Sequence, residues 1–593
     1  MIRTVTFAVL FTVLTTNQAP ATEPPAPVGR KVADFILTNV SKKAEWSLAE
    51  ASRDSKATVL VFLATGCPAS TAYGPKLVEL HNVFGDQGVT FAAIFSHPTD
   101  EPTDIATFAK SAGFRFPALH DADRSLAKKL AVERVPTAIL LDASRTVRYA
   151  GRIDDQFAPG VHRGKATTKE LINALKELLA EKEVTVKHVP AAGCVLPIEK
   201  SAVEYSGKSI TYHNQVVRIL QNKCQSCHRP GEVGPFSLTS YKQAKGWAEM
   251  MKEVVTEGTM PPWHADAPLG HFSNDRRLSD TDKKTLLAWI DQGCPEGDPK
   301  SAPEPKKFIT GWRLEREPEL VISMNKSIPV PASYLGGLAG MPYQYVPAGL
   351  PFDEDKWVQA MEVRPDFRQA IHHIIAFLIP PGIRPEEALA DASFGRYLLA
   401  SFVPGDSPIV FPKGMAKKIP KGSWILFEVH YTPNGVAGKD CSKIGMIFAK
   451  EPPKIEAESL DITNHGFAIP SGASNHEVRS QHTFDKPATI LSYSPHMHVR
   501  GKAFRYELIT KDKDGKESRE LLLNVPKYDF NWQSSYIPTV PKSIPAGSRI
   551  ECTAWYDNSA NNPFNPDPKK KVYWGNQTWE EMMIGFVEYY ETK

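Results

Sequence analysis

The sequence predicts a multidomain chain with one α/β unit, one small all-α unit and two all-β sandwiches, in that order. Three observations carry this reading. At 593 residues the chain is about four times a typical domain of roughly 150 residues. Short, nearly continuous apolar runs separated by helical stretches fill the first third, as buried parallel strands do. The last half alternates short β-type runs with Pro, Gly and Asn turns. With 49 Pro and 38 Gly, loops and turns are favoured over long helices, while 42% hydrophobic and 10% aromatic residues are enough for real cores. Lys plus Arg number 70 against 67 Asp plus Glu, too balanced for a polyanionic partner, so no nucleic-acid partner is expected.

Residues 1–21 read as a secretory signal. Arg3 precedes an apolar run from Val5 to Leu14, and Ala19-Pro20-Ala21 supplies an A-x-A cleavage site. No other segment approaches the roughly 18 consecutive apolar residues of a membrane helix. The mature chain is therefore expected to be periplasmic or secreted, without a transmembrane segment, in a compartment where disulfides and covalent haem are chemically allowed.

The first unit spans residues 28–190. Thr58–Ala64 and Val89–Phe95 are buried-strand runs, Val147–Ile153 adds a further strand, and Thr168–Lys182 reads as a terminal amphipathic helix. Between strand and helix stands Thr65-Gly66-Cys67-Pro68-Ala69-Ser70, and Val135-Pro136-Thr137 opens a later strand. Together these resemble the thioredoxin-like family, which implies that Cys67 caps the first helix beside a cis-Pro. A thiol at a helix amino terminus has its thiolate stabilised by the helix dipole. Position 70 is Ser, so a CxxC dithiol is absent, as are the Pro and Thr that precede a peroxidatic Cys in peroxiredoxins. Two readings stand: Cys67 is a redox thiol with distant Cys194 as its partner, or it is a structural Cys in a docking domain.

The second unit, residues 200–300, contains Cys224-Gln225-Ser226-Cys227-His228, the attachment sequence of a c-type haem. Two thiols at this spacing add to the haem vinyl groups, and the adjacent His reaches iron. A zinc site would need a second Cys/His pair, which His264, His271 and Cys294 do not form cleanly. Val216, Val217, Ile219 and Leu220 give an apolar face before Cys224, and Ser279-x-x-Asp282 starts a helix ended by Gly293. Met260, held in a Pro-Pro loop, is the expected sixth ligand, ahead of His264 or His271, whereas Met250 and Met251 read as core. The stretch resembles the cytochrome c domains of multidomain bacterial redox proteins, and that resemblance implies one-electron transfer. A Pro-rich, charged linker, residues 297–307, ends it.

The sandwiches are expected at residues 310–455 and 456–593. Their histidines fall in three motifs in or beside strands: His372-His373, His430, and His496-Met497-His498. His496 and His498 share a strand face, whereas His372 and His373 converge only across a bulge or strong twist. The order resembles the type II copper, ascorbate-dependent monooxygenases, which implies two jelly-roll-type sandwiches and two copper ions. By that resemblance His372, His373 and His430 hold one ion. His496, His498 and Met582 hold the other, where oxygen would react, with Met583 as the fallback. Peptide-amidating members carry an Arg and a Tyr that clamp a carboxylate; here Ser494 and Phe586 stand in those places, which argues against a peptide substrate.

Taken together, the expectation is a type II copper-dependent monooxygenase that hydroxylates a small molecule with O2, drawing electrons from an external redox protein or small reductant through haem c. The alternative is a non-catalytic periplasmic protein for electron transfer and copper binding. With Cys224 and Cys227 as haem tethers, five cysteines remain. A Cys441–Cys552 bridge between the sandwiches is one option, and Cys67 is the expected unpaired thiol of consequence.

Overall fold

The computed structural model describes residues 27–158, 160–197, 210–266, 271–333, 341–390 and 397–592. The expected signal at residues 1–21 lies outside them. Among the described residues no helix is long and apolar enough to cross a membrane.

The first unit is built on an eight-stranded sheet. Ala57–Leu63 at its centre is buried along its whole length. It pairs in parallel with Val89–Phe95 and antiparallel with Thr137–Asp142, so the sheet is mixed rather than all parallel. Alternate residues serve opposite faces. Val59, Val61 and Leu63 enter a core with Tyr73, Leu77 and the helix Glu170–Leu179, whereas Leu60 and Phe62 face the other way.

That second face explains where the small helical unit sits. Its helices Val217–Lys223, Tyr241–Gly246, Ala248–Glu257 and Asp280–Asp291 send Leu220, Met250, Met251, Leu286 and Trp289 into the same hydrophobic cluster as Leu60, Phe62 and Ile94. The sheet face and the helices thus share one continuous core. Trp247, 1% exposed, is its keystone: it stacks on Phe236 at 4.0 Å and on His97 at 4.0 Å. Gly66 allows this approach, since a Cβ there would lie 2.6 Å from Trp247 Cζ2. The last of these helices starts as expected, with the Ser279 hydroxyl accepting from the Asp282 N–H.

Two β-rich units follow, each with two larger, mainly antiparallel sheets and a two-stranded one around a main core. In the first, Ile371–Ile379 and Trp424–Tyr431 lie side by side with Gln344–Gly349 and Leu398–Phe402. In the second, Ala488–His496 pairs with Ile584–Glu591. The segment after Met260 runs across to this unit, where Trp263 and Phe272 pack on Tyr536.

Candidate functional site

Cys67 is the N-cap of the helix Pro68–Gly85, and its side chain makes no capping bond. It is joined to Cys194, 127 residues away, with a Cα–Cα separation of 6.0 Å. The partner is delivered by a two-residue strand, Cys194–Val195, whose register places Cys194 opposite Val135. The Val135–Pro136 peptide is cis. Ser70, in the place of a second CxxC cysteine, accepts from the Ala64 N–H at 3.2 Å, a structural task. Both bonded cysteines are buried. Chemically, this is a two-electron couple at a helix terminus that favours the thiolate. Cys194 is therefore the partner that the chain uses, and Cys67 is not the unpaired thiol expected of it.

Sequence reasoning missed two neighbours of the Thr65-Gly66 turn that precedes Cys67. Asp100, also buried, accepts from the Thr65 N–H at 2.9 Å and hydroxyl at 2.6 Å, and burial raises its carboxyl to about 6. Trp247 arrives from the helical unit. Neither carries a local signal: an Asp in a turn and a Trp at the junction of two short helices look ordinary until the core assembles.

Cys67 and Cys194 line a cavity of about 1850 Å³ together with Cys224, Cys227, His228 and Met260. Cys224 and Cys227 are free thiols, and burial pushes Cys224 up to about 12. His228 Nδ1 donates to the Phe236 carbonyl at 3.1 Å. Burial lowers its pKa, so the ring is neutral with Nε2 left as a lone pair. Met250 and Met251 are core, as expected. His264 lies beside Asp529, and the His271 carbonyl accepts from Thr539, so both are placed along the second β-rich unit. Cys294 is buried and free, with Tyr241 donating to its carbonyl. The Cys441–Cys552 bridge does not form. Cys552 is 0% exposed inside the second core, whereas Cys441 packs by Met324 at the edge of the first.

The third group is a nest of histidines. The register between Ile371–Ile379 and Trp424–Tyr431 shifts between Ile371 and His373. This is the bulge that lets adjacent His372 and His373 turn to one side. Their Nδ1 atoms are 3.1 Å apart. Donors to one tetrahedral ion with bonds of about 2.0–2.1 Å stand about 3.3 Å apart, so the spacing suits a shared ion. His430 lies opposite His373 in the register, and the three rings bring ligand atoms within 4.8 Å of one another, a group that could hold a metal ion. His430 Nε2 stands 3.1 Å from the Thr578 hydroxyl, while its Nδ1 is buried without a hydrogen-bond partner. His372 Nε2, His373 Nε2 and His498 Nε2 are likewise buried and unpartnered. Burial holds His373 down at about 3 and His496 at about 4, so these rings are neutral ligands at any ordinary pH.

His496 and His498 come from the second β-rich unit, yet the His373 and His496 rings are only 5.8 Å apart. Tyr343 wedges between the groups, 4.5 Å from the His430 ring and 6.1 Å from the His498 ring. Met582 shares an apolar patch with Ile584 and Phe586, whereas Met583 is sunk in the second core at 0% exposure. Glu581, fully buried, fixes the turn by accepting from the N–H groups of His498 and Arg500.

Comparison with known proteins bears on the disulfide end of the molecule. The family described as AhpC/TSA matches residues 28–150. That stretch is an AhpC/TSA-family domain with a thioredoxin/peroxiredoxin-like fold. Among solved structures, an uncharacterized conserved protein from Geobacillus kaustophilus is 30% identical. It covers 30% of this chain and 94% of its own, with a TM-score of 0.28. A hypothetical protein from Sinorhizobium meliloti is 29% identical over 30% of this chain and 98% of its own, also at 0.28. A putative thiol:disulfide interchange protein DsbE from Chlorobium tepidum is 20% identical over 21% of this chain and 85% of its own, at 0.20. No curated protein matches the chain.

These findings correct the expected activity. The machinery attached to the AhpC/TSA domain is thiol-based, a helix-capping Cys67 bonded to Cys194, and resembles a thiol–disulfide or peroxiredoxin oxidoreductase rather than a type II copper-dependent monooxygenase. Monooxygenase, copper, haem and cytochrome c gain no support as descriptions of the chain from these matches. Geometry offers a reason for the misreading. Three histidine motifs in order satisfy the spacing of that enzyme family, but spacing along the chain says nothing about the reaction that the assembled rings carry out.

Proposed function

We propose that this chain is an exported electron-transfer and copper-binding redox protein, in which the Cys67–Cys194 couple of the AhpC/TSA domain is the thiol-reactive end and the histidine nest is the metal-binding end. The observation that supports it best is the shared cavity: the disulfide opens onto the same space as Cys224, Cys227, His228 and Met260. Two electrons and two protons convert the disulfide to two thiols, and the helix terminus at Cys67 favours its thiolate.

Cys224, Cys227, His228 and Met260 are the proposed tethers and ligands of a haem c. The residues fit, because the two thiols are free, His228 is neutral and its Nδ1 is occupied by the Phe236 carbonyl. When bound, such a group supplies one-electron redox chemistry. In the nest, imidazole donors suit copper in both of its oxidation states. His372, His373 and His430 would hold one ion; His496, His498 and Met582 are the proposed donors from the second sandwich.

The test is to poise the folded chain in thiol/disulfide buffers, trap free thiols by alkylation and weigh the peptides. Cys67 and Cys194 should become reactive together with a single midpoint. A pair that stays unreactive until the chain unfolds would reduce the disulfide to a structural staple and overturn the reading.

A further inference from the structure

The strands that carry His372, His373 and His430 belong to one sheet, but two of the three rings are met by side chains of the second β-rich unit. Phe530 stacks on the His372 ring, with centroids 4.4 Å apart and planes 22° from parallel. Thr578, 1% exposed, brings its hydroxyl to 3.1 Å from His430 Nε2. The other nitrogen of that ring, Nδ1, is buried without a hydrogen-bond partner. Thr578 sits in a turn that is itself fastened. The Gln577 N–H donates to the Glu580 carboxylate at 3.0 Å, and the Glu580 N–H donates back to the Gln577 carbonyl at 2.8 Å. From the first β-rich unit, the Tyr343 N–H donates to Gln577 Oε1 at 3.3 Å, and the Tyr343 ring lies 4.5 Å from that of His430. A turn of one unit is thus held beside a ring of the other.

A neutral imidazole has one N–H and one lone pair, and the hydrogen bond made by one nitrogen fixes which of the two is free for a metal. A hydroxyl can donate or accept, so the Thr578 contact is compatible with either tautomer of His430. Burial decides between them. If Thr578 donated to Nε2, the proton would sit on Nδ1, where it would be a buried N–H with no acceptor, a costly arrangement. If Thr578 accepts from Nε2–H, the atom left over at Nδ1 is a lone pair, which is what an ion takes. The second tautomer gives the His372, His373 and His430 group, whose ligand atoms lie within 4.8 Å of one another, a donor already facing the right way.

We propose that Thr578 is a positioning residue for the metal group: its hydroxyl accepts from His430 Nε2–H and commits Nδ1 as the donor, so that a turn of the second β-rich unit sets the affinity of a site built in the first. This rests on the reading of His372, His373 and His430 as a metal-holding group and adds what prepares it. Thr578 does not meet the ion. It acts through the ring, as partners outside the ligand set do, and loss of such a partner lowers metal affinity about 10- to 100-fold.

Two measurements on the full chain test it: heteronuclear NMR of the histidine-labelled, metal-free protein, which reports the tautomer of each ring, and calorimetric titration with copper(II). His430→Gln, which deletes one set of ring signals and one ion, assigns both to this group. In wild type the His430 proton should be on Nε2. Thr578→Val keeps the shape of the side chain and drops the hydroxyl; it should leave His430 as a mixture of tautomers and weaken the assigned ion about 10- to 100-fold. Thr578→Ser, which keeps the hydroxyl, should restore both the tautomer and most of the affinity. A wild-type His430 protonated on Nδ1, or copper(II) bound as tightly by Thr578→Val as by wild type, would overturn the assignment. Equal weakening in Thr578→Ser would overturn it too, because the effect would then come from packing. If wild type holds no copper(II) that His430→Gln removes, the metal reading itself fails, a result distinct from a wrong tautomer in the metal-free spectra.

Discussion

The disulfide and the histidine nest are both buried, but they are buried by different means. Cys67 and Cys194 are brought together within one unit, by a helix cap and a two-residue strand, and an imported tryptophan then covers the neighbouring turn. The metal-capable group, His372, His373 and His430, lies on two strands of one β-rich unit, and the next unit brings the His496 ring to 5.8 Å from that of His373. The first site therefore sits in the core that the sheet shares with the helical unit. The second is formed within one sheet, and the neighbouring unit covers it with the His496 and His498 rings.

That contrast can be broken first at the disulfide. Cys194→Ser should cost about 3–5 kcal/mol of stability, because the bridge closes a loop of more than a hundred residues in the unfolded chain; urea unfolding without reductant measures it. The nest should keep its metal affinity. Loss of metal binding in this variant would mean the two regions are energetically one.

The next effect is at the keystone between the units. Trp247→Ala removes a fully buried indole and should cost about 3–5 kcal/mol. Gly66→Ala, pressing a methyl on the same ring, should cost about 1–3 kcal/mol. Both should raise the alkylation rate of Cys67 in the reduced protein. If neither does, the stack is packing alone.

Acid should distinguish the nest from the disulfide. His373 and His496 titrate near 3 and 4 in the fold against 6.5 unfolded, so above about pH 6.5 they are neutral in both states and cost nothing. As pH falls below 6.5 the unfolded chain takes protons that the fold refuses, and stability declines until the folded values are reached. Glu428 and Glu581, raised to about 7 by burial, act oppositely between about 4.5 and 7, since the fold then binds protons more readily. His372, His430 and His498 are also lowered by burial, so five histidines outweigh two carboxylates. Urea midpoints should fall between pH 6.5 and 4.5, and bound metal should steepen the fall; a flat profile would contradict the depressed values.

Smallest is the exposed Lys242–Glu101 ion pair that also joins the helical unit to the sheet. Lys242→Ala should change stability by no more than about 0.5 kcal/mol. A larger loss in thermal unfolding would show that polar contacts, not the Trp247 core, hold the units together.

Much of this was legible in the chain. Apolar runs located Ala57–Leu63 and Val89–Phe95, because a strand covered on both faces leaves no room for polar residues. The Gly66-Cys67-Pro68 step located the helix cap, and Cys194 could be named as a distant partner. The need for a bulge at His372-His373 followed from strand geometry alone. What stayed hidden was tertiary: the merged core of sheet and helices, the 5.8 Å approach of His373 to His496, and the buried Glu428 carboxylate 3.8 Å from His373. The reaction was hidden for another reason, since ligand types and order are shared by sites with different chemistry.

The ladder between Cys194–Val195 and Arg134–Val135 outlives the bond beside it. On reduction, the backbone hydrogen bonds of this ladder should keep the two thiols at a high effective concentration. Re-closure then competes with every outside thiol on unequal terms. A mixed disulfide formed with an added small thiol should therefore be short-lived.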